Sequence, residues 1–393
     1  MPPSPPPHGQ AIAQEASGAE WTALLACAKP NVDFAALADL VHRANWTALL
    51  GLAEAHGVTQ VLAAAAQKLT NEIVPADIRA ELADRQRAQL FFTLRISAEL
   101  FRLAERCAAQ NIAVAVVKGP ALAVQAYGDA AMRNYGDLDL LVRHADIARA
   151  TQLMIDAGYQ PQIPLSAIAA GKIPGQYTFR QPEAQLLVEM HNDRTMRYYP
   201  QPLQIEKIFE RRVKVQIDGR DIPVPAIEDH LVLICIHGAK HFWERLMWVA
   251  DVAALIARHP ELRWEQAAQA AEDVGAGTML HGGLLLAAQV LQAPLPAGVL
   301  ARAKNDGAAR RMTKQVLQWL PEAGENPPAL LQRARYRMRM RGGGAAGAKY
   351  FFRLLFSPTE EDWDATANEP RSFVDVLRRP FRLAKKHGSA SKD

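Results

Sequence analysis

The sequence predicts an α+β fold, a small mixed β-sheet flanked by extensive N- and C-terminal helices. Three observations carry that expectation. Strand-like runs are few and short, at 114–117, 137–142, 177–180, 186–191 and 213–224. Alanine-, glutamate- and arginine-rich stretches at helical spacing fill most of the remainder. A chain of 393 residues at 49% apolar composition can bury two or three cores.

Composition sets further bounds. A formal charge of +4 excludes a global polyelectrolyte argument for nucleic acid, since the basic excess is local to the C-terminal part. Cys27, Cys107 and Cys235 are scattered without metal-ligand spacing, which fits buried thiols in a reducing cytoplasm. Residues 1–20 are rich in Pro, Gly and Ala, lack the charge and apolar core of a signal peptide, and read as a disordered leader. Apolar stretches such as Leu231 to Ile236 fall far short of a membrane span.

Taken in order, 21–110 reads as an N-terminal helical region. Asn45 opens a helix at Trp46, Gly57 stops it, and Val74-Pro75-Ala76-Asp77 opens another. Residues 81–111 read as one long amphipathic helix or two, with Leu90, Leu94, Ala98, Phe101 and Ala104 on the buried stripe. Residues 111–226 form the expected catalytic core: strands at 114–117, 137–142, 177–180 and 186–191, a helix at 144–158, and a hairpin turning at Asp218-Gly219. Residues 227–341 read as C-terminal helices, the first running from Ile227 to about His259, with later ones at 264–274, 279–292 and 302–320. Residues 342–393 read as a linker and basic tail, with an amphipathic stretch from Phe373 to Lys386.

The chemistry concentrates at 114–142. Val114–Val117 is a β-branched run that Lys118-Gly119-Pro120 stops, and Gly followed by Pro is a good helix start. A strand-fed helix N-terminus presents free amides and a positive dipole end, a ready phosphate cradle. With no donor on Pro120, that cradle relies on the amides of Ala121 and Leu122, with Lys118 adding a full charge. Strand alternation puts Asp137 and Asp139 on one face, with Leu138 and Leu140 entering the core. Two neighbouring carboxylates repel unless a cation joins them, and oxygen donors beside phosphate suit Mg²⁺ or Mn²⁺. Arg133, just before the pair, reads equally as a triphosphate clamp or a solvated loop residue.

Other residues are weighed against plainer roles. Glu189 and His191 share a strand face and supply a third carboxylate with a neighbouring imidazole; the plain alternative is the polar face of an edge strand. His237, His241 and Glu244 fall on one helix face, where a groove wall is favoured over a zinc site, with Lys240 or Arg245 available to anionic groups. Asp251 reads as an anchor for a neighbouring helix. Gly342 to Gly347 match a dinucleotide pattern by letter, yet no strand precedes them. Arginines at 333, 335, 337, 339 and 341 read chiefly as a solvated face, with nucleic acid possible but not favoured.

KGPALAVQAY, Arg133, DLDLLV and ARATQLMIDAGY at 148–159 together resemble the uncharacterised bacterial nucleotidyltransferase family of the DNA polymerase beta superfamily. The resemblance runs from about Trp46 into the C-terminal region, and the ICIHGAKHFW helix resembles the family's His-x-x-x-His-x-Trp stretch. It implies a polymerase beta-type fold and transfer of an NMP group from NTP to an unidentified acceptor, with pyrophosphate leaving. Asp137, Asp139 and Glu189 would be the catalytic, metal-holding carboxylates. Lys118, Gly119, Pro120, Ala121 and Arg133 would bind phosphate, and His191, His237, Lys240 and His241 would line the groove. In the superfamily Ser stands where this chain has Pro120, and Asp often stands where it has Glu189. The rival readings are an inactive nucleotide-binding scaffold of the same fold and a basic helical module that binds nucleic acid or an acidic partner.

Overall fold

A computed structural model describes residues 18–171, 175–193, 202–322, 328–342, 344–345, 347–348, 363–364 and 369–370. The leader up to residue 17 and the 373–386 stretch lie outside the described residues, as does part of the 342–347 run.

The chain opens with helices α1 (Gly18–Ala28), α2 (Phe34–His42), α3 (Trp46–Ala55) and α4 (Thr59–Gln67), followed by α5 (Ala76–Ala109). Asn45 caps α3 as its spacing suggests, its side-chain oxygen accepting the Ala48 amide at 3.1 Å. Strand β1 (Val114–Val117) feeds α6 (Gly119–Tyr127), then come β2 (Asp137–Val142), α7 (Ile147–Asp156), β3 (Gln160–Pro161), α8 (Leu165–Ala169), β4 (Gln176–Gln181) and β5 (Leu186–His191). Helix α9 (Ile205–Arg211) leads into the hairpin β6 (Val213–Ile217) and β7 (Arg220–Val224). Its turn holds Asp218 and Gly219 at φ +48° and +77°, the backbone a tight hairpin demands. The C-terminal helices are α10 (Ile227–Lys240), α11 (Leu246–Arg258), α12 (Trp264–Asp273), α13 (Gly277–Leu291), α14 (Ala297–Asn305), α15 (Gly307–Trp319) and α16 (Leu330–Arg339).

The main sheet is mixed, in the order β1-β2-β5-β4-β3, with β2 and β5 parallel and the other neighbours antiparallel. Its two faces meet different cores. Leu138, Leu140, Val142, Val188 and Met190 pack with the C-terminal half of α5 and with α7. On the opposite face Ala115 and Leu141 join a larger core that also unites α1–α4 with α10–α13. Asp137 and Asp139 alternate with the first set and so face the second side.

Three sequence expectations change. Helix α5 is one continuous helix of 34 residues, and its buried stripe is Thr93, Ile96, Leu100, Leu103 and Cys107. Leu90 and Leu94 are 48% and 47% exposed. The sequence carries two apolar stripes of the same period, and the position of the sheet decides which is covered. The helix expected to run from 227 to 259 breaks after Lys240. There His237 to Trp243 close a Schellman motif, with Trp243 N–H on Gly238 O at 2.8 Å and Phe242 N–H on Ala239 O at 3.2 Å. Phe242 and Trp243 sit at φ +59° and +53°, a strain offset by complete burial of the Trp243 ring. That ring fits only because Gly238 lacks a Cβ, which would lie 2.5 Å from it. The third change divides 302–320, where Asp306 accepts the Ala308 and Ala309 amides and starts α15 afresh.

No helix among the described residues is long and apolar enough to cross a membrane.

Gly238→Ala should cost about 2 kcal/mol by overpacking against Trp243, measured as a fall in the urea midpoint. Gly282→Ala is the control, because its new methyl meets only Met312 Cε at 3.6 Å; helix propensity then makes it neutral or stabilising. A second outcome concerns pH. His56 is buried, accepts the Leu246 amide at 3.1 Å, and burial pulls its pKa down to about 4. The unfolded chain takes up this proton below about pH 6.5 and the folded chain does not, so the contribution is intact above 6.5 and falls towards pH 4, by roughly 3 kcal/mol. His56→Asn keeps an acceptor without titrating, so its urea midpoint should drop less between pH 7 and 5 than that of the wild type.

Candidate active site

The site is built by strand register. Parallel pairing sets Asp139 of β2 directly beside Glu189 of β5, while Thr178 of β4 pairs on the far side of Glu189. His191, two residues on, points to the same face. β5 is the middle strand of the sheet, so Glu189 and His191 do not form the outer face of an edge strand. Oxygens of Asp139 and Glu189 and a ring nitrogen of His191 lie within 4.8 Å of one another, a group able to hold a metal ion. Asp137 stands on the same face one pleat earlier and outside that group.

Asp139 is 1% exposed. Lys118 Nζ lies 2.7 Å from its Oδ1, and His191 Nε2–H donates to the same oxygen at 2.8 Å. Its Oδ2 is buried with no hydrogen-bond partner among the described residues. Glu189 Oε2 accepts from Gln176 Nε2 at 2.7 Å and lies 3.4 Å from His191 Nε2. Burial alone would push the Asp139 carboxyl up, but the Lys118 charge and the His191 hydrogen bond hold it well below the usual carboxylate range. Burial likewise opposes ionisation of Glu189, and His191 reverses that and lowers it. For His191, burial disfavours the imidazolium, yet hydrogen bonds to Asp139 and Glu189 raise its pKa. Asp137 goes the other way: burial, reinforced by the Asp139 charge, pushes it up to about 6.

The turn entering α6 completes the site. Lys118 has φ +59° and ψ −152°, a region nearly confined to glycine and costing about 1–3 kcal/mol. Gly119 follows at φ +51°, and its missing Cβ would meet Asp137 O at 3.5 Å. Leu122 N–H closes the helix on Lys118 O at 3.1 Å, so it is not available to the cradle as the sequence suggests. The Gly119 and Ala121 amides remain outside the helix's own ladder. The Lys118 amide meets His230 Nε2 at 3.2 Å.

Comparison with protein families matches the model of an uncharacterised nucleotidyltransferase over residues 42–292, most of the chain. The chain belongs to this family. A search of curated proteins returns no match. One similar solved structure is described as an antigenic nucleotidyltransferase-like protein from Paracoccidioides brasiliensis; it is 18% identical, spans 51% of this chain and 93% of its own, and superposes at a TM-score of 0.31.

In this member of the family Arg133 is neither a solvated loop residue nor hydrogen-bonded to the acid group. It is 6% exposed, and its Nε donates to both oxygens of Asp251 on α11, at 3.1 and 2.9 Å. Tyr127 OH donates to the same carboxylate at 3.1 Å. Asp251 thereby ties α11 to α6 and to the loop before β2. His237 and His241 are half-buried and pack on one another and on Trp248, with ring centroids 4.6–5.6 Å apart. Burial and nearby lysine charges pull His237 well down and His241 to about 3, leaving both rings neutral at pH 7. Glu244 pairs with Arg333 at 3.2 Å instead of joining them. Lys240 is exposed.

The arginine series is not a solvated face either. The Arg333 and Arg337 guanidinium groups lie 5.2 and 4.6 Å from the Phe242 ring centroid. Arg339 binds Gln315, and Arg341 binds the Val274 and Gly275 carbonyls. Of the five, Arg335 is exposed. Sequence reading missed His230, Gln125 and Gln176; Gln125 is a single polar letter in an apolar helix, His230 merges with the polar first turn formed by Glu228 and Asp229, and no short spacing links either to Lys118.

Removing one partner of the Arg133–Asp251 pair strands a buried charge. Asp251→Ala should therefore cost roughly 3–5 kcal/mol. Arg133→Met combined with Asp251→Leu should recover most of it, read from denaturant midpoints of the single and double variants.

Proposed function

We propose that the protein is a divalent-metal-dependent nucleotidyltransferase that moves an NMP group from an NTP to an acceptor, releasing pyrophosphate. The observation that carries this reading is Asp139 Oδ2, a buried carboxylate oxygen without a hydrogen-bond partner among the described residues, beside Glu189 and His191 and near the N-terminus of α6. An orphaned anionic oxygen in such a place costs free energy unless a cation meets it.

Asp139, Glu189 and His191 are the residues that would hold Mg²⁺ or Mn²⁺, with Asp137 adjacent. Their hard oxygens and single imidazole suit those ions. A bound divalent ion would supply charge neutralisation for the phosphoryl group in transfer. The Gly119 and Ala121 amides and the α6 dipole would receive β and γ phosphate oxygens. Lys118 would exchange its contact with Asp139 for a phosphate. The acceptor oxygen attacks the α phosphorus while the bond to the bridging α–β oxygen breaks. Asp137, titrating near 6, is suited to take the acceptor's proton, and Glu189 is the neighbouring alternative. The neutral surface of His237, His241 and Trp248 and the ammonium of Lys240 would border the substrate groove.

The salt bridge between Lys118 and Asp139 also favours a second reading, a nucleotide-binding protein without turnover, because a resident cation already answers the acidic group. Pyrophosphate release separates the two. With Mg²⁺ and each NTP, the wild type should release pyrophosphate, and Asp139→Asn or Glu189→Gln should lower the rate more than about 100-fold, beyond the loss that follows from removing a group that only hydrogen-bonds to a metal-holding residue. Mg²⁺ or Mn²⁺ should raise the wild-type unfolding temperature and leave Asp139→Asn unmoved. NTP binding with no pyrophosphate would select the second reading, and turnover retained in both variants would remove the metal assignment.

A further inference from the structure

We infer that His230 is a positioning residue that holds the Lys118-Gly119 turn in its working conformation. The inference rests on the nucleotidyl-transfer reading for what that turn does, and on geometry alone for how it is held. His230 lies on α10, fully buried, and its Nε2 is 3.2 Å from the Lys118 amide nitrogen. The amide can only donate, so Nε2 is the acceptor.

The rest of the network fixes that role. Gln125 Nε2 donates to the Pro225 carbonyl at 3.3 Å, which orients the Gln125 side chain. Its Oε1 then faces His230 Nδ1 and accepts from it. The proton is therefore on Nδ1, and the Nε2 lone pair is committed to Lys118. Burial and the charges of Arg133 and Lys118 pull the imidazole pKa down to about 3, so the acceptor persists at neutral pH. His259 Nε2 meets the Gln125 backbone oxygen at 2.9 Å, which braces the network from the end of α11.

The consequence lies at Lys118. Its φ of +59° with ψ −152° is a conformation that a lysine leaves unless its surroundings hold it. In that conformation its amide faces α10 and its Nζ reaches Asp139. If the His230 contact is lost, the turn can relax, the Gly119 and Ala121 amides lose their fixed aim, and the ammonium is released from the acid group.

The test compares His230→Gln, whose side-chain oxygen reaches about where Nε2 stands, with His230→Asn, which is too short. Both lose the ring, so their difference isolates the acceptor. In His230→Asn the Lys118 amide should exchange hydrogen at least about tenfold faster, with Val116 and Val117 unchanged, while His230→Gln stays within about threefold of wild type. ATP and GTP affinity in EDTA, measured by calorimetry, should fall about tenfold in His230→Asn alone. The same substitution should cost under about threefold in a Lys118→Ala background. Equal exchange in the two variants, or additive losses with Lys118→Ala, overturns the assignment. Should His230→Asn not fold, Gln125→Leu removes the tautomer lock instead and should also speed Lys118 exchange. Exchange needs no nucleotide, so a wild type that binds no NTP with Mg²⁺ present would overturn the proposed activity and leave the His230 result standing.

Discussion

Asp139 is a carboxylate at the centre of a sheet, taken out of water by the parallel pairing of β2 with β5. Leaving such a group uncompensated costs several kcal/mol. The neighbouring parts of the fold answer that charge. Lys118 reaches it from a backbone conformation that only tight restraint sustains, and His191 reaches it from the next strand. The compensation is incomplete, because among the described residues one oxygen stays without a hydrogen-bond partner, and that remainder is what the proposed cation would meet.

Around this centre the helices act as braces. Asp251 holds Arg133 and Tyr127, so α11 is fixed against α6 and against the loop that delivers β2. His230 and Gln125 fix α10 against the same α6 turn. The break between α10 and α11 lets both helices serve the site, since a straight helix from 227 to 259 would carry Asp251 away from Arg133. Trp243 secures the break by filling the space that Gly238 and Gly283 leave open.

Much of this was legible from residues 114–142. The β1, β2 and β5 boundaries coincide with the sequence reading, because a β-branched run ended by Gly and Pro specifies β1 locally and short apolar runs with polar residues on one face specify β2 and β5. The facing of Asp139 away from Leu138 and Leu140 followed from alternation alone. Less was legible where two local solutions are equally good. The Leu90 and Leu94 stripe of α5 has the same period as the stripe that is buried, and Arg133 carries no mark of a partner 118 residues later. The arginines from 333 to 341 read as solvated because sequence shows charge, whereas their partners, the Phe242 ring and distant carbonyls, lie far along the chain.

By itself the sequence determined the elements that depend on near neighbours: short strands, a Gly-Pro helix start, capped helices, and two acids on one strand face. Only the tertiary structure decided which charges meet. Register placed Glu189 beside Asp139, and helix packing delivered His230 to the Lys118 amide and Asp251 to Arg133. The physical reason is range: backbone propensity acts over a few residues, whereas a buried charge selects its partner from whatever the packed core brings within hydrogen-bond distance.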